Sequence, residues 1–421
     1  MLVRATWKRK TVLFLGSQIV SLLGSSLVQY ALYWYVTLET RSGVMMTLYI
    51  ICGFIPTFLL SPFAGVWADR WDRKKIIMIA DAMIALVTIG LAAAFTAGGR
   101  TLWLVLLAAG IRAVGTAIQG PAVGAIIPQF VPEDQRTRVN GIMGSAQAAL
   151  GLVSPVIAGA LISIWPLQAV FLIDVGTAAL AIAILLFFLD VPPHARAAHA
   201  QSTAYFTDMR LGFRYIREHR WLVSFFLYMG ILLVLVAPGA FLTPLQVTRT
   251  YGGDVWRLTA LEVAFSGGMV LGGLLVAAWR GFRNRLHTIL LATFTMAGCT
   301  VALGLAPLFS FWLYLGFLAV YGLAMPFFNT PSSVLIQEKV EEGYLGRVYS
   351  VLTMLMTSLM PVGMLVFGPL AEVVSIEWLL RITGVAMVVP LLFALRDRRL
   401  MASGVRGTQA ASAPAKTEGG G

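Results

Sequence analysis

The stretch GVWADRWDRKK, residues 65–75, separates two long apolar segments and places six charged residues in its last seven positions. So dense a set of charges is too costly to lie in the hydrocarbon of a membrane. The stretch therefore indicates the end of one membrane-spanning segment and the start of the next. Four of its six charges are basic, which is typical of a loop on the cytoplasmic side.

The composition outside this stretch is that of a membrane protein. Of 421 residues, 58% are hydrophobic and 12% are charged, with a mean hydropathy of +0.83, whereas soluble domains are about 45–50% apolar. About 20 apolar residues suffice to cross a hydrocarbon core of about 30 Å. We predict an all-α membrane protein with twelve spans, at residues 11–38, 43–67, 76–97, 101–127, 140–164, 167–189, 221–248, 256–279, 286–306, 309–329, 346–370 and 376–395.

The positions of the basic residues predict the topology. The net charge of +12 would suggest nucleic acid as the partner of a soluble protein. Here, however, 25 of the 31 Lys and Arg lie in the two termini and the even-numbered connections. This alternation favours a plasma-membrane (inner-membrane) protein with both termini cytoplasmic, and it removes the argument for nucleic acid.

The two halves of the chain repeat one another at an offset of 210 residues. Basic residues after the second and eighth spans recur at the same spacing, and so does one proline. The pairs are Arg70 and Arg280, Arg73 and Arg283, Lys75 and Arg285, and Pro121 and Pro331. A duplicated six-helix unit explains the proline, which a simple recurrence of basic loops does not.

The longest connection divides the chain between these repeats. We predict six-helix halves at residues 1–189 and 221–395, a cytoplasmic linker at 190–220, and a disordered cytoplasmic tail at 396–421. The second part of the linker is amphipathic, which predicts a helix lying on anionic lipids. Its apolar face is formed by Phe206, Met209, Phe213 and Ile216, and its basic face by Arg210, Arg214, Arg217 and Arg220.

Residues 65–75 resemble the loop signature of the major facilitator superfamily, which has a glycine, Asp-Arg four residues later, and a basic cluster. The Asp-Arg-x-x-Arg form, with Asp72 where many members carry glycine, is similar to the branch of macrolide efflux proteins and the enterobactin exporter. The resemblance implies two pseudo-symmetric six-helix bundles that perform secondary transport as a monomer without a cofactor. It also implies a cytoplasmic gating motif, formed by Gly65, Asp69, Arg70, Arg73 and Lys74.

Within the motif, Gly65 should allow two helices to pack closely, and Asp69 can accept hydrogen bonds from the free amides at a helix N-terminus. The resemblance implies that Asp69 and Arg73 stabilise the outward-facing state. Trp279 stands at the position equivalent to Asp69 in the second half. We therefore expect the first-half loop to be the more sensitive to mutation.

Four of the charged residues inside predicted spans are candidates for a function, because a charge near the centre of the bilayer costs about 2.5–3.5 kcal/mol or more without a partner or a function. Asp174 and Glu262 are the leading proton-coupling candidates, because a bound proton removes the cost of the buried charge. A hydrogen bond between helices is the alternative for both. Asp81 is a third candidate, and its alternative is a structural partner for the basic loop. Coupling to protons is itself implied by the family.

Arg112, the fourth charge, and several polar residues are candidates for the cavity or for substrate contact. The resemblance implies that Arg112 faces the cavity, although its spacing to Gln119 and Gly120 is wider than the family motif. The first span has a polar stripe that lipid would not tolerate. The candidates from the stripe are Gln18, Ser25, Gln29 and Tyr33, accompanied by Ser21, and Asn329 is added from the tenth span.

Together these features predict a proton-coupled exporter of a small amphipathic molecule of drug, macrolide or siderophore type. An importer or a lysophospholipid transporter of the same fold is the alternative, and a membrane enzyme is a weaker one. The chain has no Gly-Lys pair and hence no phosphate-binding loop, and its four histidines show no metal-ligand spacing. We therefore predict neither catalytic residues nor a bound metal.

Overall fold

The computed structural model describes residues 2–99, 101–189, 202–279, 281–305, 308 and 310–405, without the side chains at 2–6, 62, 69 and 202–208. Over these ranges the chain forms sixteen α-helices and no β-strand. The helices are α1 (Leu2–Thr40), α2 (Gly43–Arg70), α3 (Arg73–Thr96), α4 (Leu102–Ile126), α5 (Glu133–Ile164), α6 (Leu167–Ala183), α7 (Ser202–Glu218), α8 (Arg220–Phe241), α9 (Thr243–Thr250), α10 (Val255–Trp279), α11 (Arg285–Leu303), α12 (Phe311–Lys339), α13 (Glu342–Val373), α14 (Ile376–Ala386), α15 (Val388–Arg396) and α16 (Arg398–Ser403).

Twelve helical segments in the described part of the chain are long and apolar enough to cross a membrane, which confirms the predicted fold class. α8 with α9 makes the seventh, and α14 with α15 makes the twelfth. Some helices continue past the predicted apolar runs: α5 begins at Glu133, before residue 140, and α12 ends at Lys339, after residue 329. The hydropathy pattern marks only the part of a helix that lies in the hydrocarbon. The helix itself can continue into water, so it is longer than the predicted span.

The turn between α2 and α3 is short because Asp72 is the N-cap of α3. Its carboxylate accepts hydrogen bonds from the backbone amides of Lys74 and Lys75 at 3.0 and 3.3 Å. An aspartate N-cap stabilises a helix by about 1 kcal/mol. Asp72, which departs from the family glycine, is therefore the residue that begins α3.

Three buried apolar clusters show how the two halves meet. The N-half comprises α1–α6 and the C-half α8–α15. One cluster contains residues of both halves, from Leu27 to Leu380. The other two are confined to single halves and lie toward the end that carries the basic loops and both termini, termed the basic end. The halves therefore pack together at the opposite, far end and separate toward the basic end.

Two helix pairs make most of the far-end contact, α2 with α13 and α5 with α10. The hydroxyl of Thr47 donates a hydrogen bond across the first pair to the carbonyl of Met364 at 3.3 Å. In the second pair, Gly159 leaves room for the side chain of Thr259, which a Cβ at residue 159 would strike. Small residues thus allow the halves to close here.

Glycines also let α10 and α12 approach closely inside the C-half. A Cβ at Gly268 would collide with the carbonyl of Ala319, and one at Gly272 with the carbonyl of Leu323. On the other helix, a Cβ at Gly322 would strike the carbonyl of Phe265. Backbone cannot move aside as a flexible side chain can, so this seam requires glycine.

We expect Gly272→Val to lower the thermal unfolding midpoint of the detergent-purified protein, because overpacking costs about 1–3 kcal/mol. The matched control is Gly273→Val, since no heavy atom lies within 4 Å of a Cβ built at the adjacent glycine. Equal midpoints for the two variants would contradict the seam.

Two segments outside the spans are ordered. α7 packs against α13, where Tyr215 is buried and stacks on Tyr344 at 4.5 Å between ring centroids. Residues 398–405 form α16 and a bridge from Val405 to Asn284. The prediction of disorder from residue 396 is wrong up to Val405, because Asp397 caps α16 and the bridge holds its end. The rest of the predicted tail, 406–421, and the linker at 190–201 lie outside the described residues.

Candidate functional site

A central cavity of about 690 Å³ lies between the halves. Its walls come from α1, α2, α4 and α5 of the N-half and from α8 and α10 of the C-half. Sites for drug-sized ligands measure about 300–1,000 Å³ and combine apolar walls with a few polar groups. The polar residues of the lining are Ser25, Ser26, Gln29, Tyr30, Tyr33, Tyr49, Thr57, Arg112, Thr116, Gln147 and Glu262. The cavity can therefore hold an amphipathic small molecule.

A buried ion pair lies in the wall of the cavity. Nη1 of Arg112 donates to Oδ2 of Asp174 at 2.5 Å, and Nη2 donates to the carbonyl of Ser25 at 3.2 Å. The hydroxyls of Thr88 and Ser25 donate to Oδ2 and Oδ1 of Asp174 at 3.0 and 3.1 Å. These four residues, termed the Asp174 layer, join α1, α3, α4 and α6, and they satisfy both carboxylate oxygens.

A second buried carboxylate lies closer to the basic end. Oδ1 of Asp81 accepts hydrogen bonds from Ser21 at 2.7 Å and from Gln119 at 2.9 Å. Oδ2 has no hydrogen-bond partner, and neither has Nε2 of Gln18. No ion pair joins Asp81 to a Lys or Arg among the described residues, so the described contacts give no support to the alternative that it holds the basic loop.

Helix periodicity places these groups in two levels. Asp81 and Thr88 are seven residues apart on α3, as are Arg112 and Gln119 on α4. Seven residues are about two turns, or about 10.5 Å along one helix face. Thr88 is a residue that the sequence analysis missed, although its spacing from Asp81 was a usable signal. The spacing from Arg112 to Gln119 is wider than in the family motif because the two residues contact different carboxylates. Arg112 contacts Asp174, and Gln119 contacts Asp81.

Glu262 differs from the other two carboxylates. It enters the cavity from α10 of the C-half and is only partly buried. No hydrogen bond or ion pair to it occurs among the described residues. The alternative of a hydrogen bond between helices therefore describes Asp174 but not Glu262.

The polar stripe of α1 lines the cavity along one part of its length and is buried within the N-half along the other. Ser25, Gln29 and Tyr33 line the cavity, and the hydroxyl of Tyr33 donates to the carbonyl of Phe241 in the C-half at 3.0 Å. Gln18, at 1% exposure, lies outside the cavity lining, so its assignment as a cavity residue is wrong. The reason is that this part of α1 packs inside the N-half, where neighbouring Ser21 contacts Asp81.

Asn329 also lies outside the cavity lining. It is exposed on α12, a helix that contributes no residue to the walls of the cavity. The expectation that Asn329 lines the cavity is therefore wrong in this conformation.

The gating motif makes its described contacts within the N-half. Buried Arg73 donates to the carbonyls of Ala68 at 2.9 Å and Ala125 at 2.6 Å. Nζ of Lys74 donates to the carbonyl of Leu189 at 2.8 Å, while Arg70 is exposed. Cations at carbonyl-rich helix ends are favourable. The motif thus ties the turn after α2 to the ends of the fourth and sixth spans.

Gly65 and Asp69 are the remaining members of the gating motif. No heavy atom lies within 4 Å of a Cβ built at Gly65, so close helix packing at Gly65 does not occur in this conformation. The halves are separated at the basic end, which removes the partner surface. The side chain of Asp69 lies outside the described residues, and its gating role stays a prediction.

Sequence comparison relates the chain to known transporters. The family model described as Major Facilitator Superfamily matches residues 14–364. Macrolide efflux protein A of Streptococcus pyogenes is 30% identical over 395 residues, covering 93% of this chain and 97% of the relative. The staphyloferrin A transporter of Staphylococcus aureus is 20% identical, with coverage of 93% and 97%. The resemblance found in residues 65–75 is thereby confirmed.

Solved structures agree on the fold. A bacterial homologue of the iron transporter ferroportin, in an inward-facing state, superposes with a TM-score of 0.69 at 15% identity and covers 94% of this chain and 99% of its own. A bacterial homologue of the lysosomal transporter Spinster, also inward-facing, gives 0.64 at 16% identity, with coverage of 94% and 95%. The chain belongs to the Major Facilitator Superfamily of membrane transporters.

Proposed function

We propose that this protein is a secondary exporter that moves an amphipathic small molecule of macrolide type out of the cell by alternating access. The observation that carries the proposal is the 30% identity to a macrolide efflux protein over almost the full length of both chains. The cavity of about 690 Å³, with its mixture of aromatic, amide and charged walls, supports a substrate of this size and character.

The orientation of the cavity supports export. The positive-inside rule assigns the basic end to the cytoplasm and the protein to the plasma membrane. The shared apolar cluster then closes the cavity on the outer side, while the separate clusters leave the halves apart on the inner side. In this state an exporter would load its substrate, and rocking of the halves would release it outside.

We further propose protons as the coupling ion. Asp174 is neutralised by Arg112 at 2.5 Å, so a proton there would leave the arginine unpaired. Asp81 and Glu262 have no cationic partner among the described residues, and a proton would remove the cost of each charge. We therefore place the coupling on Asp81 and Glu262, and we assign Asp174 a structural role.

Everted membrane vesicles test direction and coupling together. With the vesicle interior acidified, we expect wild-type protein to accumulate radiolabelled erythromycin. Asp81→Asn should reduce gradient-driven accumulation at least about tenfold, since a residue that transfers protons commonly contributes factors of about 10² or more. Glu218→Gln, which removes an exposed carboxylate on α7, is the control and should leave accumulation unchanged.

Three results would contradict parts of the proposal. Accumulation that ignores the proton gradient would remove proton coupling. Uptake in right-side-out vesicles, without accumulation in everted ones, would favour an importer. Movement of lysophospholipid but not of erythromycin in the same vesicles would favour the lipid-transporting alternative.

A further inference from the structure

We propose that the cavity is built for a cargo that carries one positive charge, and that Glu262 is the residue that binds this charge. The inference rests on the proposed function, because it specifies the substrate class of the same cavity. It concerns recognition and is independent of the direction of transport, and it makes the cargo's charge and the proposed coupling proton alternative partners of Glu262.

The charge of the cavity wall is set by its ionic side chains. Its lining contains two ionic side chains, Arg112 and Glu262. Arg112 is already neutralised by the buried carboxylate of Asp174 in the Asp174 layer. Glu262 has no such counter-charge in the described structure. The cavity wall therefore presents one uncompensated negative charge, contributed by the C-half.

Aromatic rings form part of the same cavity wall. Tyr30, Tyr33 and Tyr49 line the same cavity, and the rings of Tyr33 and Tyr49 lie 6.1 Å apart. Glu262 lines this cavity together with Tyr30 and Tyr33. Ring faces attract ammonium groups within about 6 Å. A carboxylate beside tyrosine rings is suited to an alkylated amine, which needs apolar contact as well as charge.

Anionic and neutral cargoes match the charge of the cavity less well than a monocation does. An anionic cargo would place its charge near Glu262 in a partly desolvated space, where like charges repel strongly. A neutral cargo would leave the carboxylate desolvated without a partner. A monocation neutralises it, and the amides of Gln29 and Gln147 remain available to the neutral polar groups of the cargo.

Binding to purified protein in detergent tests this inference without any gradient. The probes are erythromycin, whose dimethylamine is protonated at pH 7, its N-demethylated and N-acetylated neutral derivative, and the permanent cation tetraphenylphosphonium. We expect wild-type protein to bind erythromycin at least about tenfold more tightly than the neutral derivative, as loss of one partner of a desolvated charge pair commonly costs that or more. Glu262→Gln should abolish this preference, weaken tetraphenylphosphonium binding by a similar factor, and leave the affinity for the neutral derivative undiminished.

The neutral derivative reports whether Glu262→Gln still folds, and Glu218→Gln is the control for charge removed outside the cavity. Equal affinity of wild-type protein for both macrolides would overturn the inference even if efflux is observed. So would an equal loss of all three probes in Glu262→Gln. Conversely, tetraphenylphosphonium binding that depends on Glu262, in a protein that binds neither macrolide, would support the inference while removing the macrolide assignment.

Discussion

Asp174→Asn is expected to destabilise the N-half severely and to abolish transport. The substitution leaves the guanidinium of Arg112 buried without a counter-charge, and breaking a buried ion pair from one side costs about 3–5 kcal/mol. Arg112→Gln should have a comparable effect, because Asp174 is fully buried and would keep its charge with hydroxyl donors alone. The measurement is the thermal unfolding midpoint in detergent, together with erythromycin accumulation in everted vesicles.

The double variant Arg112→Gln with Asp174→Asn separates charge from packing. Removing both partners of a buried pair is often nearly neutral, so we expect the double variant to recover most of the midpoint lost in either single variant. Thr88→Val is the milder comparison, since it removes one neutral hydroxyl and should cost about 1 kcal/mol. Destabilisation of the double variant by the sum of the two single variants would show that the ion pair itself contributes little coupling energy.

The transport activity of the double variant then decides the role of the pair. A stable double variant that still accumulates erythromycin would show that the Asp174 layer is a structural joint among four helices. A stable double variant without transport would assign the pair to the transport cycle and would contradict the placement of coupling on Asp81 and Glu262. Both results depend on first demonstrating the recovered midpoint.

The fold could be predicted because the bilayer imposes it. Hydropathy, the alternation of basic loops and the motif at residues 65–75 each report on a constraint that acts on single segments. The pairing of Arg112 with Asp174 was different, since it depends on the rotation of α4 against α6. A single sequence contains the spacing along each helix but not the relative rotation of two helices.

The errors in the site assignments have the same origin. Gln18 and Tyr33 share a polar stripe, yet one is buried within the N-half and the other lines the cavity. The depth of each residue along the membrane normal decides whether it reaches the cavity. A pattern of residues on one helix face does not contain this depth. Gly65 was assigned a role in close helix packing, and no heavy atom lies within 4 Å of a Cβ built there in this conformation. That role depends on the conformational state, which no local pattern specifies.

The far end carries a polar latch between the halves, and the second large effect is expected there. Glu372, near the end of α13, accepts hydrogen bonds from the hydroxyl of Ser42 at 2.6 Å and the amide of Val44 at 3.3 Å. A carboxylate at the N-terminus of α2 is favoured by the helix dipole. Arg249 pairs with Glu372 at 3.4 Å and donates through Nε to the carbonyl of Arg41 at 3.1 Å.

The energy of this latch follows from its exposure. The side chains of Arg249 and Glu372 are 31% and 36% exposed, so the ion pair itself contributes no more than about 1 kcal/mol. The capping bonds to α2 add about 1 kcal/mol. The ion pair joins two residues of the C-half, so among the contacts of Glu372 only the bonds to α2, worth about 1 kcal/mol, favour closure of the halves at the far end, which corresponds to a population ratio of about 5. The latch can therefore bias the equilibrium between states without locking it.

We expect Glu372→Gln to shift the population toward a conformation open at the far end, by up to about fivefold. The measurement is the distance distribution between spin labels at Thr101 and Ser375, which are exposed at the far end of the N-half and the C-half. Cys52 and Cys299, the two cysteines of the chain, are replaced by serine beforehand. A longer distance should gain population in the variant.

The matched control for this measurement is Glu377→Gln. Glu377 lies at the same end and accepts a hydrogen bond from Thr250 at 3.2 Å, but both residues belong to the C-half. Its loss removes an equal charge without breaking a contact between the halves, so the distance distribution should stay that of the parent protein. A shift of equal size in both variants would show that net charge at the far end, rather than the bond from Glu372 to α2, biases the equilibrium. An unchanged distribution in Glu372→Gln would instead place the whole closing energy in the apolar contacts of α2 with α13 and of α5 with α10.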